Sequence, residues 1–327
     1  MAYADLVLEG GGVKGIGLVG AISVLEERGY EFKRVAGTSA GAIVGSLVAA
    51  NIRAPELVGI MRAVQYPEFE DGGLLEHLIV GKAFGLLFEH GIYHGDYLRT
   101  WLAEQLEHAG VRTFADLAYQ DAEKPLAADR QYRLVVMASD ISQGALRRLP
   151  WDFGHYAMER DSQPVVEAVR ASMSIPFFYR PVRWDTADGE KSWLVDGGML
   201  SNFPIDVFDA PAGSTPRWPT LGIKLSAHPD AAQGVVNHVS GTLSMSLAMI
   251  KTLTGFYDRM HVDTSDAVDR TIFVDTGKVQ ATDFTLGAEQ QDMLYQNGRK
   301  AALDFLDGTA GRPAWDFDAY IAKHRQA

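Results

Sequence analysis

The chain has 327 residues, 47% of them apolar, which is enough for one large core and sits at the upper edge of what a single α/β domain holds. Its formal net charge of -12 opposes counterion-release binding to nucleic acid and leaves no broad basic face for anionic lipid, so any membrane contact has to be apolar and peripheral. Cysteine is absent, which excludes disulfides, thiolate metal sites and a cysteine nucleophile.

The first residues, Met1-Ala2-Tyr3-Ala4-Asp5, carry no basic charge, and the apolar stretch after them is cut at Glu9, so no signal peptide is expected. The longest run of small and apolar residues, Ala40 to Ala50, is shorter than the ~20 residues that cross a bilayer. A cytoplasmic protein is the expectation. Leu6-Val7-Leu8 then meets Gly10-Gly11-Gly12, and Ile16, Val19, Ile22, Val24 and Leu25 follow at helical spacing up to Gly29. That is strand, glycine loop, helix. Arg34-Val35-Ala36 leads in the same way through Gly37-Thr38-Ser39-Ala40-Gly41 into a small-residue helix ending near Ala50. Two such units in succession predict an α/β fold with a parallel sheet.

Glycines at 72, 73, 81, 85, 91 and 95 punctuate an apolar stretch that reads as interrupted helix, and residues 66–95 are a candidate lid or cap. Beyond the polar linker from Gln120 to Asp129, Tyr132 to Ala138 reads as a buried strand ending at Ser139-Asp140. Trp193-Leu194-Val195 is a further strand, ending at Asp196-Gly197-Gly198. Leu221 to Leu225 and Thr271 to Val274 are predicted strands separated by a helical segment from about Val235 to Tyr257, and a closing helix runs from Met293 to Phe305. The stretch from Pro211 to Pro219 reads as an exposed loop inserted within the domain. With no internal repeat, residues 1–327 are expected to form one catalytic domain.

Gly37 to Gly41 is a G-x-S-x-G, in which flanking glycines remove the Cβ atoms that would clash when a serine is held on a sharp strand-to-helix turn. The following helix N-terminus favours developing negative charge beside Ser39. Gly10-Gly11-Gly12-Val13-Lys14-Gly15 offers successive bare amides at the mouth of a helix, the requirement of an oxyanion hole. The same string also satisfies G-x-G-x-x-G, but a dinucleotide site wants an acidic residue at the end of the second strand, where Gly37-Thr38-Ser39 stands instead. Lys14 reads equally as a solvated charge or as a group beside a bound head group. Asp196-Gly197-Gly198 alone is a commonplace turn. After an apolar strand, however, it places a carboxylate at the carboxyl edge of the sheet, where Asp196 could take the Ser39 proton. The histidines show no H-E-x-x-H or H-G-G-G spacing, so no metal site is expected; a Ser-His-Asp triad with His228 or His261 as base stays open.

Together these motifs resemble the patatin-like phospholipase family: G-G-G-x-[RK]-G at Gly10 to Gly15, G-x-S-x-G at Gly37 to Gly41, and D-G-[GA] at Asp196 to Gly198, in that order. Ala171-Ser172-Met173-Ser174-Ile175-Pro176 and Ser201-Asn202-Phe203-Pro204 resemble its substrate-cleft segments, and Asp283-Phe284 ahead of a helix with Gly298 and Phe305 is similar to bacterial members. The resemblance implies a three-layer α/β/α fold with a mainly parallel central sheet. It also implies a Ser39–Asp196 dyad acting on phospholipid or lysophospholipid esters through an acyl-enzyme, with no cofactor or metal. An acyltransferase would use the same acyl-enzyme, a nucleotide-binding module would use the glycine loop alone, and a homo-oligomer is compatible with either.

Overall fold

The computed structural model describes residues 2–69, 91–121, 126–211, 214–226, 264–281 and 285–325, with the isolated positions 123, 245, 248, 252 and 283. Most of the candidate lid and the predicted helix from Val235 to Tyr257 lie outside these residues, as do His228 and His261. The strands are β1 (Ala2–Leu8), β2 (Tyr30–Thr38), β3 (Gly91–Tyr93), β4 (Leu134–Asp140), β5 (Ala145–Leu149), β6 (Phe177–Tyr179), β7 (Val182–Asp185), β8 (Lys191–Asp196), β9 (Thr220–Lys224) and β10 (Thr271–Phe273). The α-helices are α1 (Ile16–Glu27), α2 (Ala40–Ala49), α3 (Ala54–Ala63), α4 (Asp96–His108), α5 (Val165–Ser172), α6 (Ser265–Asp269), α7 (Ala288–Asp307) and α8 (Phe317–His324).

Eight strands form one mixed sheet in the order β10-β9-β1-β2-β4-β8-β7, with β5 also pairing to β4. The run from β10 to β4 is parallel, while β5, β7 and β8 are antiparallel to their neighbours. Helices cover the sheet on both sides. Every residue of β4 is buried, and β1 is buried from Ala4 onward, as strands in the middle of a covered sheet must be. Helix α2 is buried all round, because its run of Ala, Gly, Ile, Val and Leu leaves no polar face for water. Helix α1 is buried from Ile16 to Leu25 and packs against α7. The two backbones come close enough that a Cβ on Gly298 would lie 2.0 Å from the Gly17 carbonyl oxygen.

One feature of the pairing positions the chemistry. On the edge of β4 facing away from β5, β2 pairs in parallel with Leu134 to Met137, ending with Thr38 opposite Met137. From Ala138 to Asp140 the same edge is taken over by β8, running the opposite way, with Asp196 opposite Ala138. The carboxyl ends of β2 and β8 therefore meet head to head along β4, which brings Ser39 and Asp196 together. The sequence predicts a strand ending at Asp196 but not this direction. β8 is preceded by β7 in a hairpin whose loop carries Asp188-Gly189, with Gly189 at φ +86°.

Candidate active site

Ser39 sits at φ 54°, ψ -124° between the last residue of β2 and the first of α2, a backbone conformation that costs a non-glycine residue about 1–3 kcal/mol. It is held there by its neighbours. The Ser39 N–H donates to Ser172 Oγ at 2.9 Å, and its carbonyl accepts from Ala42 N and Ile43 N at 2.8 and 3.2 Å, which starts α2. The flanking glycines are required by close approach: a Cβ on Gly41 would lie 2.3 Å from the Leu8 carbonyl oxygen, and one on Gly37 2.2 Å from that of Gly41. Since α2 begins at the next residue, the positive end of its dipole lies at the serine.

Asp196 is 7% exposed and is fixed by its own backbone, its N–H donating to the Ser174 carbonyl at 2.9 Å and its Oδ1 accepting from Gly198 N at 2.7 Å. Burial pushes its carboxyl up to about 6, partly offset by the neighbouring Ser39 hydroxyl and the Gly198 N–H. Its second oxygen, Oδ2, is buried and accepts no hydrogen bond. The Ser39 hydroxyl lies between two acceptors, close enough to Asp196 to favour the carboxylate and with Oγ 3.4 Å from Met173 Sδ. The turn after Asp196 is packed on β4: a Cβ on Gly197 would lie 2.3 Å from the Met137 carbonyl oxygen.

The glycine loop lies against the same spot, since a Cβ on Gly10 would stand 3.1 Å from Ser39 Cβ. Its amides are not equivalent. Gly10 N donates to the Asn202 carbonyl at 3.1 Å, Val13 N to the Ala281 carbonyl at 3.1 Å and Lys14 N to the Gly11 carbonyl at 3.2 Å. Among the described residues no carbonyl accepts from the amides of Gly11 or Gly12, and Gly15 closes the short 3-10 turn that feeds α1. Gly12 has φ +56°, and a Cβ there would lie 1.9 Å from the Ala281 carbonyl oxygen, so only glycine fits. Lys14 Nζ lies 3.4 Å from the Leu225 carbonyl, turned toward the end of β9.

Four side chains that clamp these loops are not among the site residues read from the sequence. Asn202 Nδ2 donates to the Gly10 carbonyl at 3.1 Å, and Thr38 Oγ1 donates to the Ser201 carbonyl at 3.1 Å, tying the first loop and the elbow to the segment after Asp196. Glu9, buried between Lys224 Nζ and Leu225 N, anchors the start of the glycine loop to β9. Arg170, 7% exposed, donates to Ser174 Oγ at 2.7 Å and to the carbonyls of Arg180 and His94, so it braces the segment that receives the Asp196 amide. A charged residue within the otherwise apolar face of α5 is the signal that marks it.

Beside Ser39 a narrow apolar cavity runs between α2, α3 and α4, lined by Ala40, Ile43, Met61, Trp101, Met173 and Ile175 and bounded by Gly12 of the glycine loop. A larger cavity of about 160 Å³ lies at the opposite rim, among Asp5, Arg34, Asp209, Arg270 and Arg325. Its charges are paired with one another and neither Ser39 nor Asp196 lines it, so the smaller cavity serves the candidate site. Among the described residues, no group of three or more His, Asp or Glu side chains could hold a metal ion, and no helix is long and apolar enough to cross a membrane.

A family model described as patatin-like phospholipase matches residues 6–209, more than half of the chain and all of the motifs above. The protein YqhO of Bacillus subtilis (strain 168) is 33% identical over 305 residues, covering 93% of this chain and 98% of its own. The human patatin-like phospholipase domain-containing protein 6 is 27% identical over 209 residues, 62% of this chain but only 12% of that much longer protein. Among solved structures, VipD from Legionella pneumophila aligns with a TM-score of 0.53 at 17% identity; the alignment covers 93% of this chain and 66% of that one, a likeness of fold.

Proposed function

The chain belongs to the patatin-like phospholipase family, and from that premise we propose that it is a lipid acyl hydrolase of phospholipase A or lysophospholipase type, with Ser39 as nucleophile and Asp196 as base. The observation that carries this reading is the pairing of a strained, buried serine with a buried carboxylate oxygen that has no other partner. A carboxyl raised to about 6 is ionised at neutral pH yet basic enough to take a proton as attack develops.

In the proposed sequence, Ser39 Oγ bonds to the ester carbonyl carbon while its proton passes to Asp196 Oδ2. The resulting oxyanion accepts hydrogen bonds from Gly11 N and Gly12 N, each such donor being worth about 3 kcal/mol in a preorganised site. Collapse breaks the bond to the leaving alcohol, which takes the proton from Asp196, and leaves an acyl-serine. Water then attacks, Asp196 takes its proton, and the second tetrahedral species expels Ser39 Oγ, which recovers that proton as the fatty acid departs. No step calls on a metal or cofactor.

On this reading residues 1–327 form one catalytic domain working in the cytoplasm; most of the candidate lid or cap at 66–95, Leu74 and Phe84 included, lies outside the described residues. Replacing both by Asp and measuring liposome binding separates a lipid-contacting segment, which would lose binding, from one with no part in it, which would not. The reaction itself is tested by incubating the protein with diacyl phospholipid and lysophospholipid and analysing the products. Free fatty acid, lost in Ser39→Ala and nearly lost in Asp196→Asn, is the expected result; acyl chains appearing mainly on an added lysolipid would make it a transferase, and wild-type turnover in Asp196→Asn would reject the dyad.

A further inference from the structure

Ser39 Oγ lies 3.4 Å from the Met173 thioether, a weak acceptor that competes for the hydroxyl with the neighbouring Asp196 carboxylate, whose buried Oδ2 accepts from no other group. A buried acceptor without a full donor is costly, so the hydroxyl goes over to the carboxylate once the thioether withdraws. Met173 is 3% exposed and is also part of the wall of the narrow apolar cavity beside the elbow, together with Ile43, Trp101 and Ile175. The same side chain therefore touches the nucleophile and faces the space that an acyl chain would occupy. Its unbranched thioether stem can withdraw from a filled cavity without disturbing the helix behind it.

Resting on the hydrolase reading above, we infer that Met173 couples acyl-chain binding to activation of Ser39. A chain long enough to enter the cavity displaces the thioether, and the hydroxyl then turns to Asp196 Oδ2, where a charge-assisted hydrogen bond replaces the weak one. A short acyl group leaves the thioether in place and meets a serine whose hydroxyl is shared between the thioether and its base. Acyl length then governs the rate of the chemical step as well as binding.

The experiment compares kcat for p-nitrophenyl butyrate and decanoate, both as monomers in solution, in the parent protein, Met173→Leu and Met173→Ala, with fluorophosphonate labelling of Ser39 measured alongside. Leucine conserves volume but removes the sulfur acceptor. Both variants are expected to lower the decanoate-to-butyrate kcat ratio at least about fivefold, through faster butyrate turnover. A ratio altered by Met173→Ala but kept by Met173→Leu would reduce the residue to a steric wall and overturn the coupling, as would a ratio unchanged in both. Failure of Ser39 to label in the parent would overturn the hydrolase chemistry itself, and the coupling with it.

Discussion

Replacing Asp196 by Asn should stabilise the protein at alkaline pH while removing its activity. The carboxyl is 7% exposed and lifted from 3.8 to about 6 by burial, an increase of roughly two pKa units or about 3 kcal/mol. A group whose folded pKa is raised binds its proton more tightly in the native state. Its contribution is therefore complete below the unfolded value and is lost as pH rises through about 6. Asparagine fills the same space and never ionises, so the stability difference between variant and parent should widen with pH, by about 2 kcal/mol between roughly pH 4.5 and pH 8. Urea unfolding of both proteins across that range measures the difference directly, and other titrating groups cancel in it. A difference that stays constant with pH, or an Asn variant that is the less stable at pH 8, would refute the placement of a desolvated carboxylate beside Ser39.

Three further outcomes follow from the same geometry. Because the base has to be ionised, kcat/KM should rise with pH and level off above about 6; a profile flat from about pH 5 to pH 8 would contradict the assignment. Gly12→Ala puts a Cβ 1.9 Å from the Ala281 carbonyl oxygen at φ +56°, displacing the loop amides, and steady-state kinetics should show kcat lowered on the order of a hundredfold. Arg170→Met leaves the acceptors at Ser174, Arg180 and His94 without their buried donor; equilibrium unfolding should show a loss of about 3 kcal/mol, and a loss under about 1 would deny the brace.

The elbow is legible in sequence because its demands are local. Gly37 and Gly41 answer to backbone that lies within a few residues or on the adjacent strand, and the small-residue helix that follows is encoded beside them. Asp196-Gly197-Gly198 is different, being an ordinary turn until β8 takes the remaining edge of β4. That pairing joins residues far apart in the chain, and it sets the strand direction that local apolar runs cannot reveal. The division of labour within Gly10 to Gly15 is equally remote, since the carbonyls that occupy the Gly10 and Val13 amides come from Asn202 and Ala281. The short strands β3 and β6 escape the reading for the same reason, as three-residue pieces whose pairing carries no periodicity.

The central claim is that Ser39 forms the covalent intermediate, and it is tested most directly by denaturing the protein during turnover of a slowly deacylated ester and mapping the acylated peptide by mass spectrometry. The acyl mass is expected on the peptide containing Gly37 to Gly41, at Ser39. An acyl group carried on another residue, or turnover with no acyl-protein at all, would contradict it.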